Sequence, residues 1–305
     1  MLSICIAIHN WDVIKLVTDL KSQADRLKID YEILLLDDAS DYEFQKKNSG
    51  LDFLDNVTYL QSYINMGRSL VRNTLASRAK YEHLLFIDCD ATVTRRDFLK
   101  RYLAEIPAQV VVGGTEYRKR KPRKDSILRW QYGIEREQVP AQKRAENPNA
   151  SFSTFNFLIA KNIFKKVQFD ESLQGYGHED TLFGLDLAEQ GIQIHHIDNA
   201  LRHDGIGPTE QFLQQTQHSI DNLLAIAEKV ENRSKFEQSI TLLNTYKKLK
   251  QWKSVWLYRV FYKILRKKIE KNLYSLKPKI RFFDFYKLNY LIERISDGKD
   301  FSKKQ

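Results

Sequence analysis

Residues 83–95 read HLLFIDCDATVTR. Leu84, Leu85, Phe86 and Ile87 form an apolar run that stops on Asp88, and Asp90 follows after a single Cys. A short run of this kind, bounded by turn formers, reads as a strand buried on both faces. Two acids so close at its end repel, and burial sharpens the repulsion. A divalent cation resolves the conflict, because hard cations take carboxylate oxygens and reverse the local charge logic. A cation held by one or two carboxylates also binds substrate phosphates, so a diphosphate ligand is expected. The competing reading of such acids is turn formation and helix capping.

The same pattern recurs outward from this stretch. Apolar runs at Leu2–Ile8, Tyr31–Leu36, Val57–Gln61 and Val110–Val112 alternate with helix-like segments. In WDVIKLVTDLKSQADRLK, Val13, Leu16, Val17, Leu20, Ala24 and Leu27 fall near helical period, and RSLVRNTLASRA reads as a second helix. The expectation is an α/β, Rossmann-like fold with a mostly parallel sheet and helices on both faces. Polar pairs follow the runs: His9-Asn10, Asp37-Asp38, then Asp88 and Asp90. In open α/β sheets the ligand sits at these carboxyl ends.

The second half is less regular. Residues 115–150 are polar and basic, with three prolines, and read as a long excursion that is helical around Ser126–Glu137. FNFLIA and IQIHHI read as strands, and a helix is expected from about Thr181 to Gly191. Ahead of that helix lies GYGHED, in which Glu179 and Asp180 are either a helix-opening acid pair or, at a cleft edge, a general base. His203 follows a strand in ALRHDG, and imidazole suits Mn²⁺ as well as zinc; His178, His195 and His196 are equally available on composition.

Taken in order, SICIAIHN, EILLLDDAS, NMGRSLVRN, LLFIDCD, FDESLQGYGHEDTLFGLDLAEQG and the His203 segment resemble the family 2 glycosyltransferases, inverting enzymes of the GT-A nucleotide-sugar fold. The match spans residues 3 to about 205, and Asp180 precedes His203 by 23 residues, a spacing typical of that family. The resemblance implies roles. His9 and Asn10 would line the nucleotide pocket, and Asp38, supported by Asp37, would bind base or ribose. Arg72 would face the nucleotide. Asp88 and Asp90 would form the DxD pair at the nucleotide and at Mn²⁺ or Mg²⁺, with His203 completing the metal site. Asp180, of the Glu179-Asp180 pair, would be the catalytic base. The implied reaction moves one sugar, of hexosyl or N-acetylhexosaminyl type, from a UDP-sugar to a hydroxyl of a glycan or lipid-linked acceptor in surface polysaccharide biosynthesis. Ala7-Ile8-His9-Asn10 replaces the family's Pro-Thr-Tyr-Asn-like segment. No QxxRW motif follows the base, which argues against a processive synthase; RWQY at 129–132 differs in order and place.

Two other readings compete: an inactive GT-A-fold binding or assembly protein, and a nucleotidyltransferase. Acids at positions 88, 90 and 180 speak against the first. Trp11-Asp12, where a phosphate loop would stand, speaks against the second.

Charge divides the 305-residue chain. Residues 246–305 hold 18 Lys and Arg against 5 Asp and Glu, a balance of +13, so with a whole-chain charge of +10 the rest carries −3. The expected division is a catalytic domain over 1–207 and a helical region over 208–305. The tail interleaves Trp252, Trp256, Tyr258, Phe261 and Tyr262 with Lys and Arg, a composition suited to an anionic membrane surface. Nucleic acid is not expected, since no nucleic-acid module is recognisable. The start of the chain lacks a basic leader and no long uncharged apolar run occurs, so the expected location is cytoplasmic, peripheral on the inner face of the membrane. Cys5 and Cys89 read as reduced core thiols.

Overall fold

The apolar runs become strands because each can bury both faces. In the computed structural model, which describes residues 1–173, 175–230 and 233–297, the strands β1 (Leu2–Ile8), β2 (Tyr31–Asp38), β3 (Val57–Ser62) and β4 (His83–Asp88) lie in parallel register. Short strands β5 (Ala91–Thr92), β6 (Val110–Val112) and β7 (Thr115–Glu116) follow, then β8 (Asn156–Ala160), β9 (His195–His196) and β10 (Leu201–His203). Among the described residues a seven-stranded sheet runs β3-β2-β1-β4-β8-β6-β9, with β8 antiparallel to both neighbours. A three-stranded sheet runs β5-β10-β7.

Successive side chains point to opposite faces, and both are covered. Leu2, Ile4, Ile6 and Ile8 of β1 join one core layer with α1 (Ile14–Leu27), while Cys5 joins the other. Following α2 (Tyr42–Asn48), Val71, Leu75 and Ala76 of α3 (Arg68–Arg78) pack in the second layer. Phe98, Leu99 and Tyr102 of α4 (Phe98–Ala104) pack in the first. Each fully buried Leu or Ile contributes roughly 1.5–3 kcal/mol. Burial raises the Cys5 thiol far above its usual range and pushes Cys89 up to about 12.

Order reverses at β1, with β2 and β3 on one side and β4 on the other. This is a topological switch point, where a doubly wound sheet opens a crevice at its carboxyl ends.

The chain divides into two units. One takes Met1–Lys119, Arg136–Gln174 and Glu179–Gly205; the other takes Arg120–Glu135, Gly175–His178 and Ile206–Gln305. The sheet unit also holds α6 (Ala141–Arg144), α7 (Lys161–Lys166) and α8 (Glu179–Glu189), and α5 (Ile127–Tyr132) belongs to the helical unit. That unit continues with α9 (Thr209–Lys229), α10 (Arg233–Ser239), α11 (Thr241–Gln251), α12 (Val255–Leu273) and α13 (Ile280–Ser296). Its core gathers Leu128, Phe212, Tyr262, Ile269, Leu273 and Phe283. Residues 298–305 of the basic tail lie outside the described residues. No helix among the described residues is long and apolar enough to cross a membrane.

Candidate active site

The carboxyl ends of β1 and β2 are tied together first. His9 donates from Nδ1 to the Asp38 carbonyl at 2.8 Å. Asn10 sits in the left-handed region (φ 50°), which Asn tolerates. Its N–H donates to Ser40 Oγ at 2.8 Å and its side-chain oxygen accepts the Asp41 N–H at 2.7 Å. Asp37 is fully buried; its oxygens accept the Ser40 N–H at 2.8 Å and the Tyr59 hydroxyl at 2.7 Å. Asp38 accepts the N–H groups of Met66 and Gly67. The two acids thus build the edge of the crevice, Asp37 from inside and Asp38 by pinning the turn that opens α3. His9, exposed, and Asn10, partly exposed, are the members of this set that present surface.

At the end of β4, Asp88 is bound to Arg72 at 2.7 Å. Arg72 is 4 % exposed, on the inward face of α3, and its guanidinium also lies 3.9 Å from Glu179 and over the Phe169 ring. Arg68 stands 3.5 Å from Glu179. One arginine therefore links the acid of the DxD pair to the acid pair that opens α8. Burial raises the Asp88 pKa, and the Asp90 charge adds to it, against the pull of Arg72 and Arg68. Glu179, with two arginines beside it, is buried. Asp180 accepts the Thr181 N–H at 2.7 Å. Burial, then the Glu179 charge, pushes its carboxyl up to about 7, against the downward pull of the Arg72 charge.

Asp90 turns the other way. Its Oδ2 lies 2.9 Å from His203 Nε2. The far nitrogen of that ring, Nδ1, is 3.0 Å from the Tyr117 hydroxyl, which donates its own proton to Glu137. The Tyr117 oxygen is thus left to accept from Nδ1–H. With Nδ1 engaged by Tyr117, Nε2 is the ring nitrogen that lies beside the Asp90 carboxylate. A carboxylate with an imidazole is a donor set suited to Mn²⁺. The pair fits a divalent cation.

A family-level sequence comparison matches residues 3–168 to glycosyl transferase family 2. The chain belongs to glycosyl transferase family 2. As a family member it is a glycosyltransferase that uses a nucleotide sugar. No curated protein sequence matches it. Among solved structures it is similar to the mannosyltransferase PcManGT of Pyrobaculum calidifontis in complex with GDP-Man and Mn²⁺, at 14 % identity and TM-score 0.63, over 99 % of this chain and 88 % of that one. It is also similar to S. aureus TarS 1–349 in complex with UDP-GlcNAc, at 16 % identity and TM-score 0.53, over 97 % and 92 %. A third is mannosyl-3-phosphoglycerate synthase from Rubrobacter xylanophilus, at 14 % identity and TM-score 0.52, over 75 % and 74 %. These likenesses establish the GT-A fold.

Within this family 2 chain, the structure separates the histidines that composition left equivalent. His196 accepts from Arg144 at 2.7 Å and donates to the Pro148 carbonyl, and His195 pairs with Glu105. Among the described residues no group of three or more His, Cys, Asp or Glu side chains is placed to hold a metal ion, so Asp88 does not join Asp90 and His203 in one ligand set. Sequence reasoning passed over Tyr117, Glu137 and Gly205. Tyr117 and Glu137 both sit in the basic excursion over 115–150, Glu137 at the end of its helical stretch, whereas Gly205 stands in the quoted ALRHDG. A Cβ at Gly205 would lie 2.0 Å from Asp90 Oδ2 and 2.8 Å from its Cγ. Asp204 is equally fixed: Arg202 and Arg118 grip its carboxylate, and Thr92 donates to it. Gly205→Ala should therefore cut activity by about 10²-fold through displacement of Asp90 alone. Steady-state kinetics at unchanged thermal stability checks this, and parental activity would show that Asp90 shifts without consequence.

Proposed function

We propose that the chain transfers one sugar from a UDP-sugar to a hydroxyl of a glycan or lipid-linked acceptor, with inversion, with Mn²⁺ or Mg²⁺, at the inner face of the membrane. The observation that carries this reading is the division of labour among the acids at one sheet edge. Asp90 pairs with His203, Asp88 and Glu179 are matched by Arg72 and Arg68, and Asp180 keeps a carboxyl with a raised proton affinity. The GDP-mannose, UDP-GlcNAc and Mn²⁺ bound in the solved neighbours support the donor class and the cation.

Asp180 accepts the proton of the acceptor hydroxyl. The acceptor oxygen forms a bond to the anomeric carbon as the bond from that carbon to the diphosphate oxygen breaks, and the nucleoside diphosphate leaves. A general base whose pKa lies near working pH suits this step. Arg72 holds Asp88 and Glu179 in place, so it is assigned as a positioning residue. His9 and Asn10 line the nucleotide pocket, with Asp37 and Asp38 fixing its wall. Asp90 and His203 would hold the cation, while Asp88 stays on Arg72. When bound, that cation supplies Lewis-acid stabilisation of the departing diphosphate.

Tyr117 is the group that fixes the His203 ring and its tautomer. Residues behind metal ligands are worth about 10–100-fold in affinity. Tyr117→Phe should weaken Mn²⁺ binding to the free protein by that factor, read by Mn²⁺ titration. Unchanged affinity would show that the hydroxyl does not orient the ring.

A thermal-shift screen of nucleotide sugars tests the function as a whole. A ligand that binds only the native state raises the melting temperature. UDP-sugars with Mn²⁺ should raise it, and UDP-sugars with chelator should raise it much less. A screen in which no UDP-sugar shifts the transition would contradict the reading.

A further inference from the structure

Helix α12 carries two faces. Tyr262, Ile269 and Leu273 point inward, in the core that includes Ile280 and Phe283. On the outward side stand Trp256, Leu257, Val260, Phe261 and Ile264, all exposed, with Trp252 ahead of the helix at 73 %, Trp256 at 62 % and Ile264 at 76 %. The spacing of positions 256, 260 and 264, with 257 and 261 alongside, is one stripe of an α-helix. The line continues along the same side into exposed Lys267, Lys268 and Lys271, and exposed Arg259 and Lys263 border it. The one acid of the helix, Glu270, pairs with Arg266 at 2.8 Å.

An exposed contiguous apolar stripe marks an interaction surface. Its chemistry narrows the partner. A second copy of the face would bring two sets of lysines together, and like charges across an interface are disfavoured. Exposed Trp252, Trp256 and Phe261 are interleaved with Leu257, Val260 and Ile264, so the stripe lacks a continuous row of rings for successive bases, which disfavours single-stranded nucleic acid. An apolar centre, two tryptophans and a cationic border match a bilayer surface with anionic headgroups, where Trp sits at the interface and each Lys or Arg adds attraction.

We propose that the outward stripe of α12, from Trp256 to Ile264, together with Trp252 ahead of the helix, lies in an anionic membrane surface, with Lys267, Lys268 and Lys271 against lipid phosphates. This deepens the proposed function and rests on it only for the membrane-side acceptor.

Flotation of the full chain with vesicles tests it. The parent should float with phosphatidylcholine–phosphatidylglycerol vesicles and not with phosphatidylcholine alone, and added salt should release it. Trp256→Glu combined with Ile264→Glu should lower partitioning by more than about a hundredfold, with hydrolysis of a soluble nucleotide sugar unchanged. Lys267→Glu combined with Lys268→Glu leaves the apolar stripe intact and should also lose binding. The proposal is overturned if the parent fails to float with the anionic vesicles, floats equally with neutral ones, or floats as well after either double substitution. Dimerisation or RNA binding without flotation overturns it too, assigning the face to those partners. Absence of nucleotide-sugar hydrolysis by the parent counts against the proposed function and leaves the flotation result standing.

Discussion

Asp180→Asn should lower sugar transfer by about 10²–10⁴-fold, the usual contribution of a general base. Nucleotide-sugar affinity should change little, because the Asp90–His203 pair and the His9–Asn10 edge are untouched. The same substitution should stabilise the protein above neutral pH. Asp180 is pushed from 3.8 up to about 7 by burial and by Glu179. A carboxyl whose folded value is raised favours the native state when protonated. Its contribution is fully present below about 3.8 and is lost as pH rises through about 7. Asn is neutral throughout, so the variant should melt higher than the parent at alkaline pH, and the difference should close toward acid pH. In the parent, kcat/KM should rise with pH through the same window, because the base acts only when deprotonated. Transfer retained in Asp180→Asn would remove the assignment.

Asp90→Asn is the second large effect. It removes the carboxylate beside His203 Nε2 and the like charge that raises Asp88. The metal-free protein should therefore become more stable. The melting shift that Mn²⁺ with a UDP-sugar gives the parent should disappear, and activity should fall by about 10²-fold or more, the scale of a lost Lewis acid. Opposite signs in the two melting experiments distinguish this from simple damage to the fold. A variant that still responds to Mn²⁺ as the parent does would move the cation away from Asp90.

The central sheet was legible because β1, β2 and β4 have to be apolar on both faces, which leaves continuous runs in the sequence. The acids at their ends were legible for the opposite reason: they interrupt those runs. Legibility fades where tertiary contacts decide. IQIHHI reads as a strand, yet only His195–His196 pair, as β9, while Ile192 and Ile194 pack in the second core layer. The expected helix over Ser126–Glu137 is α5 followed by a π-helical turn at Gly133–Glu137. Helix α8 begins at Glu179 rather than Thr181, placing both acids in its first turn. Within the site, each acid was visible, but the wiring was not. Arg72 reads as one basic residue among several on α3, and nothing local says that its guanidinium spans Asp88 and Glu179. Tyr117, Glu137 and His203 are 20 and 86 residues apart in pairs and meet only through folding.

The stereochemical course of turnover tests the account most directly. With an α-configured UDP-sugar, Mn²⁺ and water standing in for the acceptor, proton NMR of the released sugar follows the anomeric signal from the first turnovers. A direct displacement assisted by Asp180 predicts the β-anomer first, with the α-anomer growing in later by mutarotation. Initial release of the α-anomer would contradict it.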